Sequence, residues 1–525
     1  MGARSLVAGV MLGAAWLGVV HAQARPDSAP LSAIDWLSDT VARPSLRGVQ
    51  VSPLGEDEPP VSPPGEIDTI TTTTLLERNL DAVGVLPPEV TGVDRQLWAR
   101  SATAPLVGLI RAERPGLLPV LRDLLQALML AELDAPMDAD GRGTFLLARI
   151  DKLLEMGAIE AAAALVDAAG KPTPELFRRA FDIALLMGTE NDACAVQRAA
   201  PSIAPTFPAR IFCLARGGDW PAATLSLRTG AALGQLAPDE VALLERFIEP
   251  EAYEEEDALP LPPRVTPLVL RIHEAIGEAI PAGSLPLAFA HGDLTPATGW
   301  KARLAAAERL ARAGAITPSQ LFALYVERGA AASGGVWARV RAVQAFEAAL
   351  ATGDTDRISV TLVALWPLMV EAELEMPLAE LHAASVAQLD LTPEASALAY
   401  RMALLSRDPE QVALDHRPVD AMETYLAEIA RGSVVGAVPP DGLARVIARA
   451  FGSHPDQVVL SRDLQLLLDE GRQGEALLQA MDLLTRGVEG DLRGVGEGLV
   501  VMRRMGFETV ARKAALQLML LERRG

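Results

Sequence analysis

Residues 143–170 read GTFLLARIDKLLEMGAIEAAAALVDAAG, and this stretch decides the fold. Leu146, Leu147, Ile150, Leu153 and Leu154 recur at helical spacing, the run stops at Gly157, and a second run begins almost at once. The pattern continues through KPTPELFRRAFDIALLMGTENDACAVQRAA at 171–200 and PARIFCLARGGDWPAATLSLRTGAALG at 208–234. Three of the stops share a glycine with an alanine five residues later: Gly157/Ala162, Gly188/Ala193 and Gly218/Ala223. The glycines stand 31 and 30 residues apart, the length of one helix pair. A fixed period of that size marks a stacked helical array.

Each half of the signature has a physical reason. A glycine at a helix end takes the left-handed conformation that caps the last carbonyls without a Cβ clash. The alanine falls in the first turn of the returning helix, where a small side chain lets two helices approach. In these helix-ending glycines and small packing alanines the chain resembles the tetratricopeptide-like α-solenoids. That resemblance implies an architecture, since the family's large aromatic consensus positions are not met, and it carries over no binding residue.

Composition agrees with helix-on-helix packing. The 525 residues are 50% hydrophobic but only 4% aromatic, which suits small-residue helix contacts and not a β-sandwich or an aromatic sugar groove. The expectation is an all-α, helical-hairpin repeat array in two lobes, with repeats at 96–249 and 265–525. The acidic, proline-rich stretch 250–264, containing PEAYEEEDALPLPP, reads as an exposed joint between them. In the second lobe Thr317-Pro318-Ser319-Gln320 reads as a capping box and Thr392-Pro393-Glu394 as a helix start. Gly471/Ala476 and Gly506/Ala511 repeat the glycine signature, while 329–456 keeps the period poorly and is expected to hold longer or oddly set helices.

The N-terminus differs. Met1–Ala22 reads as a cleaved export signal: Arg4, an apolar core Leu6–Val20, then the small-x-small site Val20-His21-Ala22. A periplasmic location follows. Removing the signal takes one arginine and no acid, so the net charge moves from −21 to −22. Such a surface disfavours nucleic acid and anionic lipid and tolerates basic or neutral partners. Residues 23–95 read as an extended segment with short docking motifs. Leu31, Ile34 and Leu37, with Trp36 beside them, suit a helix that docks in a groove, and IDTITTTTLL at 67–76 suits strand addition. The proline-rich pieces between them are expected to be extended. LSAIDWL at 31–37 and VGVLPPEVTG at 83–92 resemble segments of uncharacterised exported bacterial proteins.

Candidate chemistry is thin. Cys194 and Cys213 are the two cysteines, lie in neighbouring short helices and are expected to form a disulfide in an exported protein. His273, His291, His382, His416 and His454 offer no pair at zinc-binding helical spacing. Ser453, His454 and Asp456 are too close in sequence for a triad and read as ordinary caps. Gly494-Val495-Gly496-Glu497-Gly498 lacks a preceding strand and reads as a turn. The acids Glu249, Glu251, Glu254, Glu255, Glu256 and Asp257 lack calcium-loop spacing and read as solvated linker. Soluble lytic transglycosylases place a periplasmic α-superhelix before a lysozyme-like domain, but their catalytic Glu-Ser pair does not occur here. No catalytic residue, cofactor or metal is therefore expected. The reading is a non-catalytic periplasmic scaffold or adaptor for envelope proteins or peptides, with the binding groove placed along 143–234. The alternatives are an enzyme of unrecognised type acting on envelope material, or a purely structural envelope component.

Overall fold

The structure, a computed structural model, describes residues 79–521 apart from 115 and 171. The signal segment 1–22, the docking motif of Leu31, Ile34, Trp36 and Leu37, and the strand expected at 67–76 lie outside the described residues. Among the described residues the chain is all-α, with 24 helices, short 3-10 turns and one isolated bridge between Leu86 and Ala131. The helices α1 to α6 are Pro88–Thr91, Thr103–Ala112, Pro119–Leu130, Thr144–Glu155, Ile159–Ala169 and Pro174–Met187. Next come α7 to α12: Glu190–Ala199, Phe207–Arg216, Trp220–Ala232, Pro238–Ile248, Pro267–Ala275 and Trp300–Arg312. Then α13 to α18 are Pro318–Val326, Val336–Thr352, Thr355–Glu371, Glu375–Val386, Pro393–Leu405 and Pro409–Asp415. The last six, α19 to α24, are Ala421–Arg431, Gly442–Phe451, Arg462–Asp469, Gln473–Val488, Leu492–Arg504 and Glu508–Leu520.

From α4 to α10 each helix packs on the next, so the array is present. Its turns follow the expected chemistry. Gly157, Gly188 and Gly218 have φ of 73°, 75° and 82°, and Gly471 and Gly506 have 72° and 84°. The paired alanines 162, 193, 223, 476 and 511 are buried between helices. Thr173 and Asp219 cap α6 and α9 through Leu176 N and Ala222 N, and Thr317 with Gln320 forms the capping box of α13. Where the period is poorly kept, α14 and α15 run to 17 residues each, with Pro367 inside α15.

Two expectations are corrected. The Gly494–Gly498 stretch is not a turn but the interior of α23. A Cβ at Gly498 would fall 2.8 Å from Ala480 O and from Leu484 of α22, and a Cβ at Gly487 would collide with Val495. The glycines serve a close helix crossing, which offsets their poor helix propensity. The fold also starts earlier than residue 96. The Asp81 carboxylate, 2% exposed, accepts from Phe145 N at 2.7 Å and Leu146 N at 3.3 Å, capping α4 from a distant part of the chain. Arg149, buried in α4, donates to Val83 O (2.7 Å), Met129 O (2.8 Å) and Ala131 O (2.8 Å). Residues 79–95 are thus built into the first helices.

The cores do not follow the expected division at 250–264. One core joins the early helices to residues 400–516, a second covers most of 290–405, and a third covers 177–276. The first exists because α22 packs on α2 and α24 packs on α3. Trp98 lies so close to Gly474 that a Cβ there would collide with the indole. Gly474 N donates to Leu97 O at 3.0 Å, Val120 N to Gln517 Oε1 at 3.0 Å, and Arg114 pairs with Glu489. In the third core Cys194 of α7 and Cys213 of α8 are joined by a disulfide, with Cα atoms 5.1 Å apart.

The bond closes a loop of 19 residues, for which chain entropy predicts about 3 kcal/mol of stabilisation. Cys194→Ala/Cys213→Ala is expected to lower the stability of the folded chain by that order in denaturant titration. Non-reducing peptide mapping that finds both thiols free would refute the bond.

The contact between α2 and α22 contains a second testable feature. Glu113, 4% exposed at the end of α2, has an Oε2 with no hydrogen-bond partner. Burial and then the Asp482 charge raise its pKa to about 8, against a lowering by Lys152. The folded protein therefore keeps a proton that the unfolded chain loses near 4.5. Its contribution is fully present below that value and is lost as pH rises through about 8. Glu113→Gln is expected to stabilise by about 3 kcal/mol at pH 7 and to flatten the pH dependence of stability between pH 5 and 9. Identical melting of variant and parent at pH 9 would overturn this.

Candidate functional site

Within the stretch 143–234, where the groove is expected, the first helices of the first two pairs are enclosed. Helix α4 is enclosed by α2, α3 and α5, and α6 is flanked by α11 and the 3-10 turn Leu287–Leu294, so most residues of both are buried. Several buried charges on them are answered internally, although Arg178 Nε and Nη2 on α6 have no hydrogen-bond partner. Arg179 meets Asp151 in two bonds of 2.6 and 2.8 Å, linking α6 to α4. An apolar recess of about 590 Å³ instead lies at the far end of this region.

Its walls come from four elements. The start of α8 contributes Thr206, Phe207 and Pro208, α10 contributes Asp239, Glu240, Ala242, Leu243 and Leu244, and α11 contributes Leu268, Val269 and Ile272. The fourth wall is the strap Leu259–Arg264, part of the stretch expected to be a plain joint. Phe207 is placed by a helix-interior glycine: a Cβ at Gly230 of α9 would collide with its ring. Leu243, Leu244, Leu268 and Ile272 are buried in the floor, while Leu261 on the strap is 72% exposed. The strap is anchored at its start, where Leu259 N donates to Glu278 at 2.9 Å. Arg246 holds the preceding loop through Glu278 (2.7 Å), Glu256 (3.3 Å) and Asp257 O (2.7 Å). His273, also in the lining, is buried, and burial lowers its pKa against an opposing effect of Glu278.

Acids border this recess. Asp239 and Glu240 line it directly, and Glu249 to Asp257 follow the other end of α10. Among the charged residues that line the recess, Asp239 and Glu240 are acids and Arg264 is the one arginine, so its rim is net negative. Among the described residues no group of three histidine, cysteine or acidic side chains is arranged to hold a metal ion.

A second recess of about 520 Å³ is polar and sits where α3, α5, α12, α13 and α16 meet. Its groups are largely occupied with the backbone. Arg122 donates to Arg312 O at 2.9 Å and lies against Gly314, where a Cβ would fall 2.5 Å from its guanidinium carbon. His291 donates from Nε2 to Gly157 O at 2.7 Å, with its pKa lowered by burial. Desolvation and then Asp123 raise Glu380. These contacts describe a joint.

The remaining histidines are separate. His382 is wedged edge-on between Phe322 and Phe346, with centroids 5.0 and 5.4 Å away, and burial lowers its pKa to about 4. His416 stacks on Tyr400 at 3.8 Å and meets Glu423 at 2.8 Å. His454 is exposed, its Nδ1 3.4 Å from Asp456, in a loop held by Arg503 and Arg504 of α23. Cys194 and Cys213 are brought together, as a covalent link and not as a site. Sequence reading missed the recess because the strap looked like linker. The signal that finds it is LPLPP beside an apolar α10 and α11, preceded by acid. No family model, curated protein or solved structure matches this chain.

Proposed function

We propose that the chain is a helical-repeat scaffold or adaptor of the tetratricopeptide-like kind, acting in the periplasm. It holds segments of envelope proteins or peptides and does not transform them. One observation carries this reading: an apolar recess of about 590 Å³, built at the end of a helical array and bordered by acids. An apolar concavity with a few polar rim groups is how proteins hold a partner segment. The same array also exposes apolar side chains: Trp220 and Leu225 of α9 and Leu233 just after it are 46%, 68% and 69% exposed. The periplasmic placement is supported by the disulfide, which suits an oxidising compartment, and by the export-type N-terminus. Among the described residues no helix is long and apolar enough to cross a membrane.

In-cell photo-crosslinking tests the proposal. A photoreactive residue at Leu261 on the strap is expected to capture a discrete protein adduct. The same residue at Val360 on α15, 69% exposed and remote in sequence, is expected to capture none. Absence of any adduct at 261, together with turnover of cell-wall fragments by the purified chain, would replace the scaffold with an enzyme.

A further inference from the structure

We infer that the occupant of the apolar recess is an extended proline- and leucine-containing segment of another protein, carrying arginine or lysine beside its apolar residues. The strap Leu259–Arg264 is the wall along which it runs. This inference rests on the scaffold reading above and names the partner's chemistry.

The strap sequence is Leu-Pro-Leu-Pro-Pro-Arg. Its prolines fix φ and remove backbone donors, so the segment is extended in advance and loses little entropy on docking. It forms one wall of the recess without filling it. Pro260, Leu261 and Pro263 are exposed, Leu261 at 72%, while about 590 Å³ stays open between the strap, α8, α10 and α11. A surface already shaped to run beside a Leu-Pro-Leu-Pro-Pro backbone suits a second backbone of the same kind. Phe207, held in place over Gly230, supplies the aromatic wall on which proline rings pack.

Charge decides whose segment it is. Asp239 and Glu240 line the recess against one lining cation, Arg264, and this acidic rim selects a cationic flank. The chain's own proline-rich stretch at 51–66, VSPLGEDEPPVSPPGE, carries four acids and no base, so the same field repels it. The strap's terminal Arg264 has the favoured pattern, an apolar proline run followed by a cation.

The experiment titrates the full chain with fluorescein-labelled synthetic peptides and reads anisotropy. The probe is ALPLPPR extended by two further arginines. The controls are the same peptide with every arginine replaced by glutamate, and the peptide of residues 51–66. The basic peptide is expected to bind saturably and to weaken about ten-fold between 50 and 300 mM salt. The acidic peptides are expected not to bind. Asp239 is exposed and lines the recess, so Asp239→Lys leaves packing intact and is expected to weaken binding about ten-fold or more. Pro260→Gly/Pro262→Gly, which loosens one wall of the recess, is expected to weaken binding several-fold. Circular dichroism melts confirm that each variant folds. No binding of the basic peptide, or binding unchanged by the charge reversal, overturns the inference. Saturable binding of the 51–66 peptide also overturns it and makes the chain's own N-terminal segment the occupant. If the peptide fails while position 261 still captures a protein adduct, the scaffold stands and only the partner chemistry falls. If both fail, the scaffold falls too.

Discussion

The described structure depends on a short chain of buried contacts that ties both ends of the helical array to one helix. Arg149, on α4, donates to three backbone carbonyls, at residues 83, 129 and 131. Its guanidinium carbon lies 5.8 Å from the centre of the Phe145 ring, one turn away. Phe145 meets Trp98 edge-to-face at 5.5 Å, and Trp98 occupies the space that a side chain at 474 would need. A buried guanidinium is costly to desolvate, and here burial lowers its pKa to about 10. It is kept because three carbonyls with no other side-chain donor converge on it, and removing it would strand all three. Helices α22 and α24 can then pack on α2 and α3, and residues separated by nearly four hundred positions share one core.

That closure changes what the array can offer a partner. In an open stack the small rotation between neighbouring pairs creates a concave binding face. Here α4 and α6 are enclosed by other parts of the same chain, so their apolar and charged groups serve internal packing. The third and fourth pairs lie farther from the closure, and the chain leaves them through a proline-rich strap in place of another helix. Proline prevents that strap from entering a helix and packing flush, which leaves an apolar hollow behind it. Asp239 and Glu240 on its rim give the hollow its sign.

The polar recess shows the complementary case. It is nearly as large, but Arg122 and His291 spend their donors on carbonyls of residues 312 and 157. These bonds tie the first helices to the middle of the chain. A donor already satisfied by backbone has little left for a ligand. Size therefore ranks the two hollows less well than the partners of their lining groups do.

Much of the fold was legible in the order of residues because its causes are local. Helical periodicity, glycine at a helix end, alanine in the following turn and Thr-Pro or Asp-x-Pro at a helix start each act within a few residues. The turns at Gly157, Gly188, Gly218, Gly471 and Gly506 appear where those rules put them. The cysteine pair was legible for the same reason, lying in adjacent short helices. The Gly494–Gly498 stretch was misread because its glycines answer to Ala480, Leu484 and Val495 rather than to their own neighbours in sequence. The start of the fold at 79–95 was missed because Asp81 caps a helix some sixty residues away. The sequence by itself determined helix class, turn positions and the negative surface, since these follow from local conformational preference and composition. The tertiary structure alone decided which helix faces stay open, because that depends on the pairing of distant elements: Trp98 with Gly474, α24 with α3, and a strap that cannot become a helix.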